Sequence, residues 1–307
     1  MAGCRLCRTG KAEVRLAYAR LKLCSRCFVK RFFPNRVRRT VEAHKMFQAK
    51  ARVAVAVSGG KDSAALLHSL HEAFPALKLT AIHLDLGIPS YSEAAKRSVR
   101  ELCQSLGVEL KIYDLKAEEG FTIGDFKATS YGRKLCAVCG VVKRRRLGRI
   151  AAQLKVDALA TGHNLDDTVE SLLAAFTSGD LQQLVRLKPK LTAQPPFPVK
   201  VKPLYRTPEA DTALYAYLTG LKFHGAVCPY AEGSRSLRDK RFLNLWEAEE
   251  PGFKYRLLAS FEKIIPLMEK EIPSPTYTRC RVCGLPSSQP VCADCRRIEI
   301  LRGNLKA

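Results

Sequence analysis

Residues 53–70 read VAVAVSGGKDSAALLHSL, and no other stretch limits the fold of this chain so strongly. The alternating Val and Ala run reads as a buried strand, the paired glycines as a tight turn, and the residues from Lys61 onward as a helix. A helix that opens this way aims unpaired backbone N–H groups, and its positive dipole end, at one spot suited to an anion. The familiar phosphate loop has four residues between its first Gly and Gly-Lys-[Ser/Thr]. Here Gly59 and Gly60 are adjacent and Asp62 separates Lys61 from Ser63, so this is a cradle of another design.

The pattern continues along the chain. Leu79–Leu84 reads as a strand and about 92–106 as a helix, and Leu110–Asp114 is followed by a helix over about 141–154. Ala158–Thr161 precedes a helix over about 166–176, FPVKVKPLY reads as a further strand, and PEADTALYAYLTG as a helix bracketed by Pro208 and Gly220. Strands alternating with helices predict an α/β fold, a doubly wound parallel sheet covered by helices on both faces. Ligands in such sheets bind beyond the strand C-termini. The glycine loop stands at such an end.

Ten of the twelve cysteines fall in Cys-x2-Cys pairs. That spacing lets two thiolates on one turn grip a single metal ion. Cys4, Cys7, Cys24 and Cys27 form one set around a short predicted hairpin, RLAYARLKL. Cys280, Cys283, Cys292 and Cys295 form another. Each predicts a zinc ribbon, two Zn2+ in all, purely structural because four thiolates leave zinc no open position. The division expected is 1–33 for the first ribbon, 34–49 for a basic linker helix, 50–272 for the α/β domain and 273–307 for the second ribbon. Cys103, in VRELCQSLGV, reads as a buried core residue.

Fifty-two Lys and Arg against 29 acidic residues leave a net charge of +23. Residues 1–50 alone carry 14 Lys/Arg against Glu13 and Glu42, about half of the surplus. A one-sign field of this kind suits a polyanion, and nucleic acid ahead of membrane lipid, since no amphipathic anchor is evident. Arg36, Arg38 and Arg39 are the expected phosphate contacts. No apolar run reaches the ~18 residues of a membrane span, and the N-terminus lacks a secretory signal. The expected location is cytoplasmic, where disulfides are rare.

Four stretches, SGGKDS, CAVCGVVKRR, TGHNLDD and VCPYAEG, together resemble the N-type ATP pyrophosphatases of the PP-loop superfamily, in the tRNA 2-thiolation branch. With both terminal ribbons, the chain is similar over nearly its whole length to the TtuA-type 2-thiouridine synthetases and their wobble-uridine relatives. The resemblance implies ATP and Mg2+. Ser58, Gly59, Gly60, Lys61 and Ser63 would cradle the pyrophosphate end of ATP, and Asp62 would be a magnesium-binding or orienting carboxylate. Ala56, Leu84 and Gly162 would lie beside the nucleotide. Lys143 would contact ATP phosphate, and Asp167 would be a catalytic carboxylate. His163 and Asn164 read as residues that hold a turn. Many relatives have His as the fourth ligand of the first ribbon where this chain has Cys27; both bind zinc.

The resemblance joins Cys228 to Cys136 and Cys139 as ligands of a [4Fe–4S] cluster with one iron free of protein. Two alternatives stay open, a zinc site completed by His163 or His224, and persulfide chemistry on a cysteine. The implied activity is ATP-dependent tRNA uridine 2-thiolation, an adenylating sulfurtransferase reaction at the T-loop uridine. The wobble uridine, a cytidine, and a non-catalytic tRNA-binding protein are the alternatives. The implied partners are tRNA and a ubiquitin-like sulfur carrier with a C-terminal thiocarboxylate. A homodimer is a further expectation.

Overall fold

The computed structural model describes residues 3–231, 234–272 and 276–305. Residues 273–275, where the expected boundary of the second ribbon falls, lie outside the described residues, as do Glu232, Gly233 and the last two residues. At the N-terminus β1 (Val14–Leu16) pairs antiparallel with β2 (Leu21–Leu23), the expected hairpin. A one-turn helix α1 (Ser25–Cys27) follows, leading into α2 (Phe33–Ala43). Phe33, Val37 and Val41 recur every fourth residue and are buried, so α2 presents one apolar stripe. Each such side chain is worth about 1.5–3 kcal/mol on burial. They share a continuous core with Cys4, Leu16 and Cys27 of the ribbon and with Val53, Leu66 and Leu67 beyond it. The ribbon and linker thus pack as part of the central layer.

The sheet is built from β3 (Arg52–Ala56), β4 (Lys78–Asp85), β5 (Glu109–Asp114), β6 (Ala158–Thr161), β7 (Lys190–Leu191) and β8 (Val199–Val201). Their spatial order is β5-β4-β3-β6-β8-β7. Five strands run parallel and the edge strand β7 runs antiparallel to β8, a departure from the all-parallel expectation. The connecting helices are α3 (Lys61–Ala73), α4 (Tyr91–Leu106), α5 (Leu115–Glu119), α6 (Leu135–Gln153), α7 (Leu165–Thr177), α8 (Leu181–Val185) and α9 (Glu209–Leu218). From β3 the chain winds outward through β4 and β5, then crosses to β6 on the other side. The order therefore reverses between β3 and β6, which makes their C-terminal ends the crevice for ligand.

Two differences from the sequence reading bear on function. α6 begins at Leu135, six residues before the expected start, so Cys136 and Cys139 lie on its first turns. After α9 the alternation stops, and α10 (Arg235–Glu249) and α11 (Phe253–Glu271) follow one another and pack on α7. The second ribbon pairs β9 (Thr278–Arg279) with β10 (Pro286–Ser287) and ends in α12 (Ala293–Leu305). Among the described residues no helix is long and apolar enough to cross a membrane.

Candidate active site

The glycine loop joins β3 to α3 as expected. Gly59 sits at φ +90°, and a Cβ there would fall 2.9 Å from both Cα and Cβ of Ala95. Only glycine meets both conditions. No side chain caps the first turn of α3, which leaves its N–H groups free for an anion. Ser58 and Ser63 brace the loop, their hydroxyl oxygens 3.2 Å apart, while the Ser63 hydroxyl donates to the Gly60 carbonyl at 2.9 Å.

The loop after β6 meets this one. A Cβ on Gly162 would lie 3.1 Å from Ser63 N, so its glycine lets the second loop rest on the backbone of the first. Asn164 is fully buried and caps α7 in a reciprocal arrangement, Asp167 N donating to Asn164 Oδ1 at 3.0 Å and Asn164 N to Asp167 Oδ2 at 3.1 Å. Its amide donates across to Asp62 Oδ1 at 3.2 Å. Asn164 therefore holds a turn, as expected, and also ties the two loops together. His163 is exposed, its Nδ1 2.8 Å from the Thr161 hydroxyl.

Two residues the sequence did not single out complete the charge array. Glu209, at the start of α9, takes Lys61 Nζ at 2.6 Å on one oxygen and Lys240 Nζ at 3.0 Å on the other. Lys240, from α10, also pairs with Asp167. Lys61 bonds Asp62 Oδ2 at 3.0 Å, and the Thr212 hydroxyl donates to Asp62 Oδ1. Burial would raise the Glu209 carboxyl, but Lys240 and Lys61 outweigh it and hold it at about 2. Burial raises Asp62 above the usual carboxylate range despite Lys61. Glu209 had a sequence signal, an acid in the first turn after Pro208. Lys240 had none, because only tertiary packing brings α10 here. Asp166 fixes this helix, accepting from Glu209 N at 2.7 Å while paired with the buried Lys254.

On the other side of the loop a cavity of about 130 Å³ opens between strand ends and helices. Ala56, Ser58 and Leu84 line it, and so do Cys139, Lys143 and Cys228. It is smaller than the roughly 300–1,000 Å³ of sites that enclose a drug-sized ligand. Cys136 is exposed and outside that lining, its Sγ 2.7 Å from the Tyr230 carbonyl oxygen. Burial raises the Cys139 thiol, with Lys143 opposing, and burial also raises Cys136. Cys228, 89 residues beyond Cys139 in the chain, comes to them on the loop before α10. That loop is held at His224, whose N–H donates to the Gly59 carbonyl at 2.6 Å.

The two ribbons have a different geometry from this trio. In each, one ligand atom from all four cysteines lies within 4.8 Å of the others. The Cys7–Cys24 and Cys283–Cys292 Sγ pairs are both 3.9 Å apart. Tetrahedral zinc with Zn–S of about 2.3 Å requires edges of about 3.8 Å, so both sets fit that ion. Backbone N–H groups at Gly10 and Cys27 donate to the first set, and those at Cys292 and Cys295 to the second. Among the described residues Cys136, Cys139 and Cys228 form no such tight group, with or without His163 or His224. Three cysteine thiolates are a donor set that fits an iron–sulfur cluster with one iron free of protein.

Arg36 departs from expectation. It is turned inward, 3.6 Å from Asp211 and within 5.1 Å of the Tyr18 and 4.7 Å of the Phe32 ring centroids. Arg38 donates to the Ala73 carbonyl at 2.7 Å. Of the three expected phosphate contacts only Arg39 remains exposed without such a bond among the described residues, and it lines a groove with Arg31 and Arg206.

The PP-loop domain family (ATP_bind_3) matches residues 33–224. Two tRNA-5-methyluridine(54) 2-sulfurtransferases are similar over nearly the whole chain. The one from Pyrococcus horikoshii is 35% identical over 95% of this chain and 92% of its own. The one from Thermus thermophilus is 35% identical over 95% and 90%. A solved structure, the U34-tRNA thiolase NcsA from Methanococcus maripaludis with its [4Fe-4S] cluster, superposes with a TM-score of 0.82 at 28% identity, covering 97% of this chain and 96% of that one. A loop of SGGKDS type at the sheet's reversal point, a cysteine trio beside it and whole-length similarity agree, and the chain belongs to the PP-loop family in the branch of these tRNA 2-sulfurtransferases.

Proposed function

We propose that this chain is an ATP-dependent tRNA uridine 2-thiolase acting on the T-loop uridine. The observation that carries the proposal is the cavity lined at once by Ala56, Ser58 and Leu84 and by Lys143, Cys139 and Cys228. Nucleotide-activating and sulfur-handling groups face the same space. Relatives named for position 54 favour the T-loop, and the base must leave its stack to enter.

In this reading the free N–H groups of the α3 first turn, with Ser58 and Ser63, receive the pyrophosphate end of ATP. The uridine C2 oxygen attacks the α-phosphorus, forming a P–O bond as the α–β bridge breaks and pyrophosphate leaves. Lys143 offsets charge developing at the α-phosphoryl group. Asp62, whose oxygens are engaged by Lys61, Asn164 and Thr212, serves to orient Lys61. Asp167, whose oxygens are engaged by Lys240 and the Asn164 N–H, would take Mg2+ arriving with ATP by giving up Lys240. Sulfide then attacks C2, the C2–O bond breaks, and AMP leaves. A [4Fe–4S] cluster held by Cys136, Cys139 and Cys228 supplies one iron with no protein ligand, a place to carry sulfur.

Residues 1–33 and 34–49 would present tRNA to the domain at 50–272, with two Zn2+ holding the ribbons at 1–33 and 273–307. The resemblance supports a ubiquitin-like thiocarboxylate carrier as sulfur donor and a homodimer. Relatives from Saccharomyces cerevisiae and Chlamydomonas reinhardtii are named cytoplasmic tRNA 2-thiolation proteins, which supports a cytoplasmic location.

The test is Cys228→Ser in anaerobically reconstituted protein, with single-turnover thiolation by sulfide and position-mapped nucleoside mass spectrometry. The variant should lose iron and thiolation but keep ATP binding. Full activity without iron would refute the cluster as sulfur carrier, sulfide then attacking C2 unaided. The wild type should modify position 54. Modification at position 34 would establish the second reading, which the likeness to the U34 thiolase favours.

A further inference from the structure

The C-terminal ribbon has no part in the reaction as drawn, yet its contacts lead to the helix that carries Cys136, Cys139 and Lys143. α6 is one uninterrupted helix of 19 residues. Two adjacent arginines fasten it to the ribbon. Arg145 Nη2 donates to Cys283 Sγ at 2.8 Å, and Nη1 to the Pro286 carbonyl at 3.0 Å. Arg146 is only 2% exposed. Its Nε donates to Glu119 Oε1 at 2.6 Å, and its terminal nitrogens reach Glu119 and Asp294.

Each partner is itself held. Glu119 accepts from the Tyr113 hydroxyl at 2.7 Å, which ties it to β5. Asp294 lies between the metal-ligand residues Cys292 and Cys295. Further along α12, Leu301 is buried in the same apolar core as Val138, Cys139 and Val142, with Cys228 packed against that core. The ribbon therefore touches the cysteine-bearing helix through a ligand sulfur, a buried ion triad and a shared core.

A buried ion triad is a poor way to gain stability, since apolar residues of like volume often do as well. What it does supply is a single permitted orientation. Seven residues separate Cys139 from Arg146, about 10 Å of stiff helix. A turn of α6 about its axis at Arg146 is thus carried to Cys136 and Cys139.

We propose that the C-terminal zinc ribbon is a positioning clamp for α6. Arg145 and Arg146 would carry the metal-held geometry around Cys283 and Asp294 to the Cys136 and Cys139 thiols, and so set how those thiols meet their cluster. Arg145 and Arg146 are positioning residues in this scheme. The cluster part rests on the proposed function above.

The experiment compares full-length wild type, Arg145→Gln, and the triple variant Glu119→Gln/Arg146→Met/Asp294→Asn, which removes all three buried charges together and leaves Arg149, 3.6 Å from Glu119, to solvent. Arg146→Lys tests conservative rescue. Zinc and iron per chain, the electron paramagnetic resonance signature after anaerobic reconstitution, and ATP affinity are measured. The triple variant should keep both zinc ions and ATP affinity while losing cluster; Arg145→Gln, which removes a donor to Cys283 Sγ, should lose cluster and also weaken zinc in the second ribbon about tenfold or more. Arg146→Lys should recover part of the cluster. A folded triple variant with wild-type iron content and signature would overturn the clamp. A second readout needs no iron: alkylation rates of Cys136 and Cys139 in iron-free protein, read by peptide mass spectrometry. A change in these rates supports the clamp even if wild type takes up no iron, an outcome that would refute only the cluster. Unchanged rates would overturn the clamp.

Discussion

The two adjacent glycines of the loop should fail in different ways when each is replaced by alanine. At Gly59 the backbone lies at φ +90°, and the new Cβ would meet Ala95 Cα and Cβ at 2.9 Å and its carbonyl oxygen at 3.0 Å. The left-handed backbone costs an L-residue about 1–2 kcal/mol, and overpacking against α4 adds about 1–3 kcal/mol. Gly59→Ala should therefore lose roughly 2–5 kcal/mol, a large part of a typical domain's 5–15 kcal/mol. At about 2–4 °C per kcal/mol for a domain of this size, Tm should fall by roughly 4–20 °C. At Gly60 the backbone is extended, φ −83° and ψ 164°, and a Cβ meets only Ser58 Oγ at an ordinary 3.6 Å. The weaker capping by alanine and the stiffer unfolded chain offset each other to within about 1 kcal/mol. The added methyl group instead occupies open space before the α3 N-terminus. Gly60→Ala should keep the wild-type Tm and weaken ATP by about tenfold or more, or ~1.4 kcal/mol. Thermal unfolding and calorimetric ATP titration of both variants decide the matter. A Gly59→Ala protein melting with wild type would refute the strain argument. Unaltered ATP affinity in Gly60→Ala would remove the loop from the nucleotide site.

Glu209→Gln should destabilise the protein at pH 7 by up to about 3 kcal/mol, since a carboxyl held at about 2 rather than 4.5 gains stability when ionised. That advantage is present above pH 4.5 and is lost as pH falls toward 2, so the melting curves of variant and wild type should converge over that window; parallel curves would contradict the pairing. Asp211 has the opposite sign. Burial raises it to about 6 despite Tyr18 and Arg36, so its contribution is full below 3.8 and lost as pH rises through 6. Asp211→Asn should flatten the stability profile between those values, and an unchanged slope would show that the carboxylate is not the titrating group. Neutralising the groove residues Arg31 and Arg39 should lower the slope of log tRNA affinity against log salt by up to about 1.4–1.8 units. Arg36→Gln should lower Tm with little effect on that slope, and the reverse result would put Arg36 on the RNA.

Local chemistry was legible from the sequence because it is encoded by neighbours. A buried strand, two glycines and a helix start within eighteen residues define the loop and its anion-seeking end. Cys-x2-Cys spacing defines half a metal site wherever it occurs, and both ribbons gather as expected. The start of α6 was misplaced, since the helix begins at Leu135 and not near 141.

Tertiary structure alone decided which charges are functional. Arg36 reads as a phosphate contact, yet it lies among aromatic rings, and Arg146, one of four consecutive basic residues, is buried on Glu119 and Asp294. Lys240 comes 73 residues after Asp167 and meets it only because α10 packs on α7. A charged side chain carries no mark of its partner in its own sequence window. Its role is set by which helix face the packed core turns inward, and that choice depends on apolar contacts made far along the chain.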